Sequence, residues 1–289
     1  MMYILIPIPK MMMNSRVRCL LYALERTQQC SKLRLTKLLF LMGRDENMAQ
    51  CLKFYGFLPY KFGPYSFELH HDLQMLERDG LIGTDGNQII YKHGDGVLSL
   101  GMKKIIDAHL LRVASFTDSN LVDFIYDRYP EYSIFSKLKR KMTYVKDRTG
   151  IMTVGYEGQS IDEFLKRLID EKIHALVDVR DNPWSMKYGF KRYQLETYCN
   201  KMNIDFISIP SLGVPENIRN DLKETGNYTI FFKTYNQLLL DRAGDIQYLN
   251  DLSRNKRIAL MCFEHEPGRC HRSALGKELA RRGAEVVIR

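Results

Sequence analysis

The stretch "RIALMCFEHEPGRCHRSALGKELARRGAEVVIR", Arg257–Arg289, decides how the C-terminal half folds. RIALMCFE is a short apolar run of strand length, SALGKELARRG has helical spacing, and AEVVIR is a last strand. Where the first passes into the second, MCFEHEPGRCHRS, Met261–Ser273, carries two cysteines, two histidines, two arginines and two glutamates. Strand, loop, helix and strand in that order point to a parallel sheet.

Moving upstream, the same alternation continues. IMTVGYEG reads as a strand and turn, and SIDEFLKRLIDEK as a helix opened by a capping box, Ser160 with Glu163 three residues on. HALVDVRDNPWS is a buried strand ending in polar residues, KRYQLETYCNKMN a helix, and IDFISIPSLGVP a strand. A mostly helical stretch, Phe231 to Leu252, leads back to Arg257. The fold class expected for residues 150–289 is α/β, a mostly parallel sheet with helices on both faces. Right-handed crossovers then gather all strand C-terminal ends on one rim, where ligands of open α/β sheets bind.

The first half has another character. SRVRCLLYALERTQQC places Val17, Leu20, Leu21 and Leu24 on one helical face, and KLRLTKLLFLMG is a second helix stopped at Gly43. An aromatic connection, FYGFLPYKFGPYS, precedes a helix with Leu69, Leu73 and Leu76 inward. NQIIYKHGDGVLSL is expected as two strands around His93–Gly96, and helical sequence is expected from Ser99 to Arg140. Helices followed by a β-hairpin describe an α-rich, winged-helix-like domain over residues 1–136. The segment from Leu35 to Ile82, with its FGPYS…DL…L…GLI pattern, resembles a small bacterial group of YwgA type and the Panacea antitoxin domain. That resemblance implies DNA binding, a protein partner or dimerisation, and allows an antitoxin or defence setting. Glu68, Asp72, Glu77 and Asp79 against a lone Arg78 make its candidate reading helix a poor match for a phosphate backbone.

Net charge is +9 over 289 residues. The excess is concentrated: residues 1–136 carry +2, residues 149–289 carry +2, and KLKRKMTYVKDR, 137–148, carries +5. Residues 137–149 are therefore expected to be a basic linker, either simply solvated or an arm against nucleic-acid phosphates. No segment approaches the roughly 20 apolar residues of a membrane span, and the opening run is broken by Pro7 and Pro9. Met11, Met12 and Met13 are alternative starts behind a disordered tail. The six scattered cysteines, Cys19, Cys30, Cys51, Cys199, Cys262 and Cys270, are expected to be reduced thiols in a cytoplasmic protein.

On the rim stand Gly155, Tyr156, Glu157 and Gly158, then Arg180, Asp181, Asn182 and Pro183, then the loop after Arg257–Glu264. These motifs, with LVDVRDNPWSMKYGF, IPSLGVP and LMCFEHEPGRCHRSALGKEL, resemble the domain-of-unknown-function family 488 over residues 151–289. The resemblance implies an α/β domain of unassigned activity. It maps the family pattern onto Gly155–Gly158, Asp178, Arg180, Pro183, Ser185, Cys262, Glu264, Cys270, His271 and Arg272.

Several chemistries compete for this rim. Cys270 at a helix start beside Arg269, His271 and Arg272 has the surroundings that depress a thiol pKa, and Cys262 at a strand end has a nucleophile's position. The Cys262–Arg269 spacing is not the Cys-x5-Arg of phosphatases. A helix N-terminus with Arg180, His271 and Arg272 nearby is an anion cradle, the favoured reading, with a nucleotide or nucleic-acid phosphate as the anion. Glu157, Asp178 and Glu264 are candidate bases or ion-pair partners. Trp184, among aromatic and basic residues, suits stacking on a base, and Tyr156 lies beside it on the rim. No cofactor is expected, and no metal: the loop lacks a Cys-x2-Cys pair, and the adjacent side chains of Cys270 and His271 are expected to point apart. The expectation is a nucleotide- or nucleic-acid-directed protein with a phosphate site. Either an enzyme or a non-catalytic regulator fits, partnered through its N-terminal domain by another protein or a second copy.

Overall fold

The computed structural model describes residues 13–44, 48, 52–94 and 97–289. Met11, Met12, Cys51 and the Asp95–Gly96 half of the expected turn lie outside the described residues. The chain divides into two compact units, Met1–Met142 and Thr143–Arg289. No described helix is long and apolar enough to cross a membrane.

In the first unit, helix α1 (Ser15–Thr27) is capped by Asn14, which accepts from the Val17 N–H, and buries Leu20, Leu21 and Leu24. Strand β1 (Gln29–Ser31) leads into α2 (Lys32–Met42). The aromatic connection folds into a hairpin of β2 (Leu58–Tyr60) and β3 (Gly63–Tyr65), ahead of α3 (Phe67–Arg78). Strands β4 (Ile82–Asp85) and β5 (Gln88–Tyr91) follow, then α4 (Leu100–Arg112) and α5 (Asp118–Arg128). Among the described residues β1, β5 and β4 form an antiparallel sheet in that order.

Two expectations need correction. The hairpin turns at Gly86–Asn87, with Asp85 opposite Gln88, not around His93–Gly96. Gly86 takes φ +56°, which a two-residue hairpin loop requires, and the LIG segment becomes part of the first strand. The helical sequence expected from Ser99 to Arg140 forms two helices and ends early, the second giving way at Tyr129 before a 3-10 turn from Pro130. The acidic face of α3 is also quieter than its sequence implies. Arg16 of α1 pairs with Glu68 at 2.9 Å and Asp72 at 3.1 Å, and the Tyr55 hydroxyl donates to Asp72.

Lys37 is buried in this unit with its ammonium donating to the Pro64 carbonyl at 3.0 Å. Burial lowers its pKa to about 7. Between that value and its ordinary 10.5 the unfolded chain binds a proton that the folded chain refuses, so stability should rise with pH across this window. Below about 7 both states are protonated, and the full penalty, on the order of 5 kcal/mol, persists. Denaturant titrations at pH 7 and pH 10 should differ less in Lys37→Met than in the parent, and the variant should be the more stable at pH 7. Equal pH dependence in the two proteins would mean that Lys37 keeps its charge.

The basic stretch is shared between the units. Lys139 and Lys141 pair with Asp123 and Asp127 in the first unit. In the second, Tyr144 donates to the Ile169 carbonyl and Lys146 to that of Asn203, while Arg148 lies 3.9 Å from Glu171. Much of the local charge is thus answered within the chain.

The second unit runs β6 (Gly150–Gly155), α6 (Ile161–Asp170), β7 (Ala175–Asp178), α7 (Arg192–Lys201), β8 (Asp205–Ser208), α8 (Glu216–Thr225), α9 (Tyr228–Leu240), α10 (Ala243–Asn255), β9 (Arg257–Cys262), α11 (His271–Arg281) and β10 (Val286–Val287). Among the described residues its sheet is five-stranded and parallel, in the order β10-β6-β9-β7-β8. The Ser160–Glu163 capping box starts α6 as its sequence predicts. Alternation decides the two faces. Ile151, Ala175, Val177, Ile258 and Leu260 join residues of α9, α10 and α11 in one core. Met152, Val154, Leu176, Ala259 and Met261 point the other way and are equally buried. Right-handed crossovers put α6 and α7 over that second face, because β6, β7 and β8 step across the sheet in one direction and β9 and β10 return. The connection leaving β7 and the one leaving β9 diverge, which opens a crevice above their C-terminal ends.

Candidate functional site

That crevice is a cleft of about 430 Å³. Tyr156 follows β6, Arg180, Asp181, Asn182 and Trp184 follow β7, and Cys262 ends β9 with Phe263 and Glu264 after it; all border the cleft, with Arg269 and His271 from the start of α11. Arg219 of α8 and Tyr228 and Phe231 of α9 form the opposite wall. A larger hollow, about 750 Å³, lies between α9 and α11, but it carries surface charges such as Lys233 and Lys277 rather than convergent reactive groups.

At the floor, four groups meet. Cys262 Sγ donates to Glu264 Oε2 at 3.0 Å and lies 3.6 Å from His271 Nδ1. Cys270 Sγ is 3.9 Å from the same nitrogen. On the far side of the ring, Nε2 is 3.1 Å from the Val179 carbonyl. A carbonyl only accepts, so Nε2 carries the proton and the Nδ1 lone pair faces the two sulfurs. The Tyr235 ring packs edge-on against the imidazole at 5.2 Å and fixes its plane. Burial works against the Glu264 carboxylate, yet hydrogen bonds from Cys270 and Cys262 hold it below its ordinary pKa. The chain's own carboxylate therefore meets Cys270, the N-cap of α11.

Other expected site residues hold the frame. Asp178 and Arg180 form a buried bidentate pair, Nε to Oδ1 at 2.8 Å and Nη2 to Oδ2 at 2.7 Å. Burial would lower the Arg180 pKa, but Asp178 raises it above its ordinary value. Arg180 Nη1 also donates to the Tyr156 hydroxyl and the Phe190 carbonyl, so one N–H at most is left for a ligand. Asp178 is thus a counter-ion rather than a free base, and Arg180 is not the open phosphate clamp expected. Arg272 is also not an anion ligand: it is fully buried and donates to the carbonyls of Glu264, His265 and Arg289. Glu157 accepts from the His265 N–H at 2.9 Å and ties two rim loops together. Cys270 departs from expectation as well. Its helix-start position is outweighed by burial, with Cys262 acting in the same direction, and its thiol pKa rises well above the ordinary value. Cys270 and His271, expected to diverge, instead turn to one centre with Cys262, their ligand atoms within 4.8 Å of one another.

The aromatics after β7 divide. Phe190 is core, stacked on Tyr156 at 4.1 Å, whereas Trp184 stands 63% exposed at the cleft mouth. Arg219 pairs with Asp181 at 3.0 Å, and exposed Arg269 has no ion-pair partner among the described residues. The Arg219 and Tyr228 contribution was hidden, because the helices that deliver it carry no motif.

Strand order, rim loops and the Cys-x-Glu…Cys-His-Arg crossing together invite comparison with known families. Residues 160–279 match the family model described as Domain of unknown function DUF488. The DUF488 match takes in Asp178, Arg180, Cys262, Glu264, Cys270, His271 and Arg272, and begins after the Gly155–Gly158 turn. No curated protein and no solved structure matches the chain.

Proposed function

We propose that the C-terminal unit binds a nucleotide, free or as a unit of nucleic acid, and acts on it as an enzyme. The observation carrying this reading is the lining of the cleft: an exposed Trp184 and apolar walls beside Arg219 and Arg269, directly over Cys262, Glu264 and His271. Aromatic faces stack on a base, guanidinium groups meet phosphate, and the floor supplies groups able to move protons. The phosphate contacts fall to Arg269 and Arg219 instead of Arg180 and Arg272, which are engaged in the frame. A reducing, cytoplasmic setting suits a centre with two thiols.

Trp184 is the chain's sole tryptophan, so its fluorescence reads the cleft directly. Nucleoside mono- and triphosphates and a short oligonucleotide should quench it saturably. Arg269→Ala should weaken that binding by about tenfold, roughly the worth of one charge-assisted hydrogen bond. Absence of quenching by every one of these probes at millimolar concentration sinks the proposal.

For the N-terminal unit, the antiparallel order β1-β5-β4 behind α1, α2 and α3 supports a winged-helix-like domain. With Glu68 and Asp72 turned to Arg16, Asp79 paired with Arg78 and Glu77 accepting from the Thr84 hydroxyl, the third helix still presents a net negative face, which does not suit a phosphate backbone. A protein partner or a second copy is the better occupant.

A further inference from the structure

We propose that Cys262, Cys270, His271 and Glu264 form a binding site for a divalent metal ion of borderline softness, zinc above all. Two sulfurs, one imidazole nitrogen and one carboxylate oxygen are a complete four-coordinate zinc set. Zinc–sulfur bonds of about 2.3 Å and zinc–nitrogen bonds of about 2.0–2.1 Å give a tetrahedral S···N edge of roughly 3.6 Å. The two such edges here are 3.6 Å and 3.9 Å. Cys262, Cys270 and His271 hold their donor atoms within 4.8 Å of one another; Glu264, 3.0 Å from Cys262 Sγ, stands outside that group and has to shift to become the fourth ligand.

The surroundings agree with the donor set. A metal-binding histidine characteristically donates its other ring N–H to a carbonyl or carboxylate, which fixes the tautomer. His271 does so to Val179, leaving Nδ1 aimed at the sulfurs. Both thiols are buried and positioned by the backbone, Cys262 at the end of β9 and Cys270 at the position before the first turn of α11, so the ion would find both sulfurs and the imidazole close together. The loop between them is secured by Arg272 to Glu264 and His265, and by Glu157 to His265. Arg272 spends its N–H groups on backbone oxygens and takes none of the four donor atoms, and the positive charge it keeps is answered by the two thiolates and the carboxylate that the ion would gather. On binding, each cysteine S–H bond is replaced by a sulfur–zinc bond and its proton passes to solvent, two protons in all; nothing is oxidised or reduced. The imidazole enters neutral and the carboxylate ionised. Cys262, Glu264 and His271 border the cleft, so the ion would lie at its floor, where the proposed nucleotide is received.

The inference stands independently of the nucleotide reading, and the two can fail separately. The test uses the full chain, purified under reducing conditions, stripped with chelator and then titrated with cobalt(II) and zinc(II). Close to one ion per chain should bind, with the thiolate charge-transfer band and intense visible bands of tetrahedral cobalt, bleached by zinc. Cys270→Ser should weaken the charge-transfer band, and Cys262→Ser with Cys270→Ser should abolish it. The cobalt spectrum of the unaltered chain settles the point even if the variants do not fold. A folded chain that takes up neither ion overturns the proposal. So does stoichiometric binding that survives the double substitution, or a Cys262–Cys270 disulfide forming with unchanged ease at saturating zinc. Trp184 quenching by nucleotide, repeated on the stripped protein, reports the cleft by itself.

Discussion

Asp178→Ala should cost the C-terminal unit about 3–5 kcal/mol, the range for removing one partner of a buried ion pair. Asp178 has no exposed surface, and its carboxylate accepts three donors: the Arg180 backbone N–H at 3.1 Å, Nε at 2.8 Å and Nη2 at 2.7 Å. Without it the guanidinium stays buried, still tied to Tyr156 and the Phe190 carbonyl, with no counter-charge in the pair. Tyr156 in turn stacks on Phe190, so disorder would spread to the wall of the cleft. Guanidinium chloride unfolding followed by circular dichroism measures the loss. Asp178→Ala combined with Arg180→Met should recover much of it, because the pair then leaves no orphaned charge. If Asp178→Asn instead keeps its stability and loses only ligand response, the carboxylate is a chemical group and not a counter-ion.

The sequence made the sheet legible because its strands are apolar on both faces and its helices on one. RIALMCFE and HALVDVRD have no solvent side, and a run of that length bounded by polar loops has few other fates. The convergence at the rim followed from topology, without any motif. What each rim residue does there was not legible. Arg180 and Arg272 have the identity of anion ligands, but their partners are Asp178 two residues away and carbonyls brought in by the fold. Neighbouring side chains usually diverge, yet Cys270 precedes the first turn of α11 with extended dihedrals while His271 is already helical. The change in backbone direction between them turns both toward Cys262. In the N-terminal unit, three-residue strands such as β1 are too short for a periodicity to declare itself, and pairing with β5 defines them.

Gly155→Ala should distort the site with less damage to the sheet. A β-carbon at Gly155 would fall 1.8 Å from the Glu264 carbonyl oxygen and 2.7 Å from its carbon, both backbone atoms. No rotamer change relieves that contact, so the β9 loop must move. It has little freedom to do so, because Arg272 holds the Glu264 and His265 carbonyls from the other side and Glu157 holds the His265 N–H. The overlap should cost about 1–3 kcal/mol, the usual penalty of overpacking. Its larger effect is geometric: Glu264 leaves Cys262 and Cys270, while His271 and the two sulfurs, fixed by Val179, β9 and α11, stay in place. Cobalt binding should then persist with altered visible bands, and nucleotide quenching of Trp184 should fall because Phe263 and Glu264 border the same cleft. Arg272→Met, which frees the loop instead of displacing it, should give the same spectral change with a greater loss of stability. An unaltered cobalt spectrum in Gly155→Ala would remove Glu264 from the ligand set and leave two sulfurs and one nitrogen, with the fourth position open to the cleft.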